Sequence, residues 1–323
     1  MKIVISDMLG FEEEHDNWIL EAAGDDTVVC PEGDEELMAE LADAEVFFGY
    51  HSPEVFAAAK NLKWMQTTSA GLDMMLTPEV RAMGLQVTNA SGLHAAPVVE
   101  TAWALTLAVS RYLKHFGECQ QKHVWDQFTP YDLNDRTAGV VGLGGIGRRY
   151  ARIAAAFGMR VIAICRTKRK ATLPLDWLGS TDQLDQLLAE SDFVVVACDM
   201  NKETIGMIGA PQLARMKPDS VIINVGRGRV IDEEALYKAL KDRSIGGAVL
   251  DVWYNYIGND KKDVWPCNYP FQDLDNVILS AHESAAAPEQ LERRWKFVAD
   301  NLQRVAKGGQ PENQVFLGTA PGL

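Results

Sequence analysis

Five short apolar runs punctuate the first 92 residues: Ile3 to Ser6, Thr27 to Cys30, Val46 to Gly49, Trp64 to Thr67 and Gln86 to Thr88. Stretches with helical spacing separate them, which is the βαβ rhythm of a parallel sheet. The pattern then changes to one long helix over Ala95 to Phe116. Its segment Pro97 to Val109 is apolar on more than one face, which a helix wet on one side does not need. A place between domains, in a subunit interface or deep inside one domain would each produce that pattern. The alternation resumes at Ala138 to Val141, Met159 to Ile164, Phe193 to Ala197, Val221 to Val225, Ala248 to Leu250 and Val277 to Leu279, predicting a second sheet. Pro288 to Val305 is again helical in pattern, with Arg293, Arg294 and Lys296 on its wetter face. The expected fold class is α/β: two doubly wound parallel-sheet domains, Rossmann-like or flavodoxin-like, with a cleft between them.

Composition narrows the function classes. A chain of 323 residues has room for two domains, and a net charge of -14 argues against nucleic acid or an anionic membrane surface as partner. The start, Met1-Lys-Ile-Val-Ile-Ser-Asp7, is not that of a signal peptide, and no apolar stretch is long enough to span a bilayer. Five cysteines (Cys30, Cys119, Cys165, Cys198, Cys267) stand singly with no C-x-x-C pair, which suggests neither a zinc cage nor a disulfide framework and fits a reducing, cytoplasmic setting. The histidines are also dispersed. Even the region of His115 and His123 lacks metal-ligand spacing, so no metal is expected.

Within the second set of runs, Thr137-Ala-Gly-Val-Val-Gly-Leu-Gly-Gly-Ile-Gly147 breaks into glycines at Gly142, Gly144 and Gly147. Among 26 glycines a bare G-x-G-x-x-G arises easily by chance, but here a strand-like run precedes it and a helical stretch, Arg148 to Phe157, follows. That is the strand-turn-helix that holds a dinucleotide's pyrophosphate. The first glycine permits the turn, the second lets backbone approach phosphate, the third lets helix and strand pack, and the helix N-terminus faces the anion. About 20 positions on, an NAD-binding domain usually carries an acid for the ribose 2′-hydroxyl. Here that place falls at Cys165, followed by Arg166, Thr167 and Lys168. Cations and a hydroxyl suit a 2′-phosphate, so NADP (as NADPH) is expected over NAD, with a solvated basic turn as the plain alternative.

In parallel sheets ligands sit beyond the carboxyl ends of the strands. Three runs of the second set end in Arg227, Asp251 and His282. A guanidinium can pin a carboxylate and polarise the neighbouring carbonyl, and an imidazolium can supply the proton an alkoxide needs. The pair suits hydride transfer between a 2-oxo and a 2-hydroxy acid, although singly Arg227 reads equally as an ion-pair partner and His282 as a satisfied loop histidine. Cys198, Val225 and Gly226 follow neighbouring runs and join the expected cofactor contacts. Tyr50 and His51 end a first-domain strand and are expected to contact substrate, and His94 stands at the domain crossing. The stretch from Asp251 to Asp273 is long and aromatic, suited to shaping a pocket, covering a cleft or packing between domains.

These pieces together resemble the D-isomer-specific 2-hydroxyacid dehydrogenase family over nearly the whole chain. The resemblance is carried by Thr68 to Asp73, Val98 to Glu100, Gly142 to Gly147, Ile223 to Asp232, Gly247 to Val252 and Asn276 to His282. It implies a discontinuous substrate domain, residues 1–92 plus 288–323, flanking a dinucleotide-binding domain, residues 93–287, in a homodimer with the long helix near the interface. It also implies that Arg227 binds substrate, His282 donates or accepts the proton, Asp251 holds the nicotinamide carboxamide, and Gly145 and Ile146 meet the pyrophosphate. The amides of Ser69, Ala70 and Gly71 would meet the substrate carboxylate. The expected activity is reduction of a small 2-oxo acid of the glyoxylate or hydroxypyruvate type.

One position departs from the family pattern. The glutamate that pairs with the catalytic histidine is replaced by Tyr256. A carboxylate neighbour raises an imidazole's pKa, and an unperturbed imidazole titrates near about 6.5. Reduction is therefore expected to weaken as pH rises past neutrality unless Glu283, Asp260 or Asp263 substitutes. Two alternatives follow from relatives of the same fold. One is a dinucleotide-sensing interaction protein of the corepressor type. The other is a dehydrogenase of formate, phosphite or 3-phosphoglycerate, the formate enzymes having glutamine at the Tyr256 position and asparagine at that of His94.

Overall fold

The computed structural model describes residues 1–6, 13–49, 51–72, 76–127, 129–166, 173–256 and 265–316. The chain divides into two compact units, Met1–His94 with Ala287–Leu323, and Ala95–Ala286. The first opens with β1 (Lys2–Ile5), α1 (Glu13–Ala23), β2 (Thr27–Val29), α2 (Gly33–Leu41), β3 (Val46–Phe48), α3 (Pro53–Phe56), β4 (Trp64–Gln66), α4 (Pro78–Ala82) and β5 (Gln86–Thr88). Side chains alternate across a strand. Accordingly Ile3, Ile5, Val46, Phe48 and Trp64 join one core, while Val4, Phe47, Met65 and Val87 join another with Leu37, Leu41, Val55, Phe56 and Val80 of the helices.

The second unit begins with α5 (Ala95–Ser110) and α6 (Leu113–Lys122). The single helix expected over Ala95 to Phe116 is thus two, because Tyr112 adopts left-handed backbone at φ 56° and stacks on Tyr131. The apolar breadth of α5 is spent within this unit. Val98, Val99, Ala102 and Trp103 are buried in its core, Trp103 stacks on Tyr150 at 4.7 Å, and Thr106 shares a hydrogen bond with the Tyr150 hydroxyl. There follow β6 (Thr137–Val141), α7 (Gly145–Ala156), β7 (Arg160–Ile164), β8 (Trp177–Gly179), α8 (Leu184–Glu190), β9 (Phe193–Val196), α9 (Ala210–Leu213), β10 (Val221–Asn224), α10 (Glu233–Lys241), β11 (Gly247–Leu250) and β12 (Val277–Leu279). All seven strands are parallel, in the order β12-β11-β10-β9-β6-β7-β8. The order reverses between β6 and β9, and ligands of doubly wound sheets bind beyond the strand ends at such a switch.

The chain then re-enters the first unit with α11 (Gln290–Ala306) and β13 (Gln314–Phe316), which pairs antiparallel to β5 and completes the order β13-β5-β4-β3-β1-β2. Trp295, Val298 and Leu302 of α11 are fully buried among Ile3, Ile5 and Ile19. Arg293 and Lys296 are exposed as expected. Arg294 is not: it is half-buried, because its place on α11 turns it inward beside His94. No helix among the described residues is long and apolar enough to cross a membrane.

Candidate active site

The glycine turn lies at the switch point. Gly142 has φ +100°, and a Cβ there would stand 2.9 Å from the Ala197 carbonyl oxygen; one on Gly147 would stand 1.9 Å from the Gly142 carbonyl oxygen. Gly142 therefore lets the turn lie against the end of β9, and Gly147 lets α7 close onto the turn. Gly144, the residue capping α7, faces open space, with nothing within 4 Å of the place a Cβ would take. A cavity of about 1070 Å³ opens there, lined among others by Gly142, Gly144, Gly145, Arg148, Cys165, Arg166, Asp182, Cys198 and Thr204. A bare Cα, the first-turn amides of a helix and two arginines fit a pyrophosphate and its attached ribose.

Of the expected cofactor contacts, Gly142, Gly144, Gly145, Arg166 and Cys198 border this cavity. Gly147 and Gly226 lie behind its wall, Gly226 packed on the Cys198 carbonyl. Ile146, Val225 and Asp251 are not among its lining. Thr167, Lys168 and Tyr50 lie outside the described residues. Burial pushes the Cys198 thiol up to about 12, which makes it a packing group rather than a nucleophile. Asp182, which no sequence motif marks, brings a carboxylate to the wall that holds Arg166. It follows β8, a strand of three residues with too little apolar periodicity to be read beforehand.

The ends of β10, β11 and β12 are adjacent by register. Arg227 is half-buried, its Nη1 donating to the Gly226 carbonyl at 3.0 Å. Gly228 fits only because it lacks a side chain, since a Cβ would sit 2.2 Å from the Trp253 carbonyl oxygen. Asp251 is fully buried and accepts from the Ser280 hydroxyl at 2.6 Å and from the Ser284 hydroxyl. Those two serines bracket His282, so Asp251 fixes the turn that carries the exposed imidazole. The turn needs fixing, because His282 has left-handed backbone at φ 59°.

Tyr256 stands beside that imidazole with ring centroids 5.2 Å apart, and its hydroxyl accepts from the Trp253 amide at 3.0 Å. Of the acids considered as substitutes, Asp260 and Asp263 lie outside the described residues, and Glu283 is exposed. In the described part of the aromatic stretch, Trp253 and Phe271 are core residues of their own unit, and Tyr237 of α10 stacks on Tyr269.

In the first unit the carbonyls of Thr68, Ser69 and Ala70, after β4, each accept a hydrogen bond. His94 Nε2 donates to the Thr68 carbonyl at 3.2 Å, the Thr67 hydroxyl and the Ala90 amide donate to that of Ser69, and Asn89 Nδ2 donates to that of Ala70 at 2.6 Å. In a trans peptide the N–H points opposite the C=O. The amides of Ser69, Ala70 and Gly71 therefore face the other way, and none of the three has an acceptor among the described residues. Such a run of amides is open to an acceptor from outside the loop. His94 Nδ1 accepts from Gln290 Nε2 at 2.9 Å, which fixes the neutral tautomer, and burial together with Arg294 holds its pKa below the ordinary value. The expected substrate contact His51 instead has Nε2 on Asp34 at 3.2 Å and Nδ1 accepting from the Ser52 amide.

A family model for the NAD binding domain of D-isomer specific 2-hydroxyacid dehydrogenases matches residues 103–284. The chain belongs to this family. It is 35% identical over 271 residues to a glyoxylate reductase of Korarchaeum cryptofilum, covering 81% of this chain and 78% of that one. It is 30% identical over 327 residues to a D-3-phosphoglycerate dehydrogenase of Methanocaldococcus jannaschii, covering 99% of this chain and 60% of that one. Among solved structures, the acyclic imino acid reductase Bsp5, in complex with NADPH and D-Arg, superposes with a TM-score of 0.82 at 27% identity over 98% of this chain and all of that one. As a member of the family the protein is an NAD(P)-dependent oxidoreductase that interconverts a 2-oxo acid and its D-2-hydroxy acid.

Proposed function

We propose that the enzyme acts as an NADPH-preferring reductase of small 2-oxo acids of the glyoxylate or hydroxypyruvate type. The observation that carries this reading is that Arg227, Asp251 and His282 follow three neighbouring parallel strands, β10, β11 and β12, at their carboxyl ends in the unit that also holds the dinucleotide cavity. Bound nicotinamide supplies the hydride. Arg227 draws the substrate's carboxylate and carbonyl oxygen to its guanidinium and disperses the charge that grows on that oxygen. His282 delivers the proton, and Asp251 acts through Ser280 and Ser284 to keep the imidazole in place. The first unit, as substrate domain, contributes the amides of Ser69, Ala70 and Gly71 as a carboxylate cradle, with His94 as a neutral prop and not an acid. Arg166 sets the preference for a 2′-phosphate against the opposing charge of Asp182. Exposed Leu113, Phe116, Val124 and Trp125, on and after α6, support homodimer formation, which light scattering of the purified protein tests.

The deciding experiment is a panel of 2-oxo acids assayed by oxidation of NADPH and of NADH. Turnover of glyoxylate or hydroxypyruvate, faster with NADPH, is expected. Arg227→Ala and His282→Ala should each lower kcat/KM by about 10² to 10⁴. Arg166→Ala should erase the preference for NADPH. Equal use of both cofactors by the wild type would remove the cofactor assignment. Tight NADPH binding without turnover of any acid would favour the sensing role.

One observation favours a second reading. Tyr256 meets His282 through its aromatic ring, and an iminium substrate already carries the proton that a ketone must be given. Reduction of 2-oxo acids in the presence of ammonia or methylamine, yielding the amino acid, distinguishes this reading.

A further inference from the structure

Three metal-ligating atoms converge on the edge of the second sheet opposite the dinucleotide cavity. α6 places His115 and Cys119 one turn apart on the same face, and the chain doubles back after His123, at φ 54°, to bring in Asp126. His115 Nε2 stands 3.0 Å from Asp126 Oδ2 and 3.3 Å from Cys119 Sγ, and the three atoms lie within 4.8 Å of one another. His115 and Asp126 also line a cavity of about 610 Å³ whose walls include the first residues of β10 and β11, Val221 and Gly247. These are the amino ends of the strands, whereas the dinucleotide cavity lies at the carboxyl ends.

Both contacts fall on one ring nitrogen. A neutral arrangement satisfies both contacts, with Nε2–H donating to the carboxylate and the thiol sulfur lying beside it; once the ring nitrogen and the thiol lose their protons, a nitrogen, a sulfur and an oxygen lone pair face one point. A cation there would be coordinated by imidazole nitrogen, thiolate and carboxylate. Bond lengths of about 2.0–2.3 Å place tetrahedral ligand atoms about 3.3–3.8 Å apart, against 3.0 and 3.3 Å for the two contacts of His115 and at most 4.8 Å for the third pair. Glu118 and Asp219 line the same cavity, and Lys114 and Arg243 line it with them.

We propose that His115, Cys119 and Asp126 bind a borderline divalent transition-metal ion, of the zinc or cobalt class, with a fourth position open to solvent. The mixed nitrogen, sulfur and oxygen set selects such ions over magnesium and calcium, which take oxygen ligands. Histidine spacing along the sequence hid the set, because two of its three members are not histidines and the third ligand follows the helix end. The site stands apart from the cofactor cavity, so turnover does not depend on it.

The test is a titration of the chelator-treated full chain with Co²⁺, read by absorption. The expected result is one ion per chain, a thiolate-to-cobalt charge-transfer band, the visible bands of a four-coordinate ion, and displacement by Zn²⁺. Cys119→Ser should abolish the charge-transfer band, while His115→Gln and Asp126→Asn should each weaken binding about tenfold or more. Metal-free wild type and all three variants should show matching circular dichroism and the same turnover. No band in the wild type overturns the proposal, and so does a band that survives Cys119→Ser, which would put the ion on one of the other four cysteines.

Discussion

Two runs of backbone amides, one in each unit, face away from acceptors, and they are built differently. At the start of α7 the amides are left over by helix geometry, and glycines let the turn close and stay bare. At Ser69 to Gly71 no helix is involved. The amides face outward because side chains and one amide from elsewhere in the unit hold the carbonyls of the same peptides. The first design is local and written in consecutive residues. The second is assembled from Thr67, Asn89, Ala90 and His94, and its stability depends on each of them.

Substitutions that separate the two designs should act with decreasing force. Gly147→Ala drives a Cβ into the Gly142 carbonyl. It should cost about 3 kcal/mol or more, with a fall in Tm on the order of 10 °C and loss of NADPH binding, measured by thermal melts and nicotinamide fluorescence. Gly144→Ala meets no atom, so the melt should stay within about a degree, while NADPH affinity falls about tenfold, roughly 1.4 kcal/mol. A matched fall in Tm would show that Gly144 serves folding instead. Asn89→Ala frees the Ala70 carbonyl and should raise KM for the 2-oxo acid about fivefold with kcat nearly unchanged, the cost of one hydrogen bond of about 1 kcal/mol. Unchanged KM would remove the loop from substrate binding.

The smallest effect concerns His94 and pH. Its pKa is lowered in the folded protein below the ordinary 6.5, so the unfolded chain binds the proton first as pH falls. The stabilisation from neutral His94 is whole above about 6.5 and is lost as pH drops from there toward the lowered folded value. His94→Asn should flatten that part of the stability curve, measured by urea melts between neutral and mildly acid pH, and an unchanged curve would assign it to other groups.

The same contrast explains what could be read in advance. Continuous buried strands such as Phe193 to Val196 advertise themselves by composition, as does the glycine turn that ends β6. The placement of Arg227, Asp251 and His282 past the carboxyl ends of β10, β11 and β12 was legible because each follows such a run within three residues. The hidden parts depend on partners distant in sequence: the serine grip on Asp251, the His94–Gln290 bond spanning the two stretches of the first unit, and Asp182 after a strand of three residues. The break at Tyr112 was equally hidden, since no glycine or proline marks it and a tyrosine stack holds it.

The return of the chain through α11 and β13 has a consequence for synthesis. Residues 95–286 form one uninterrupted unit, translated in full before α11. The first unit has no such luck: Ile3, Ile5 and Ile19 wait for Trp295, Val298 and Leu302, so residues translated ahead of the second unit reach their final packing after it is complete. Throughout that interval the nascent chain exposes the apolar face of α1 and β1, and a chaperone that binds short apolar stretches would find its substrate there.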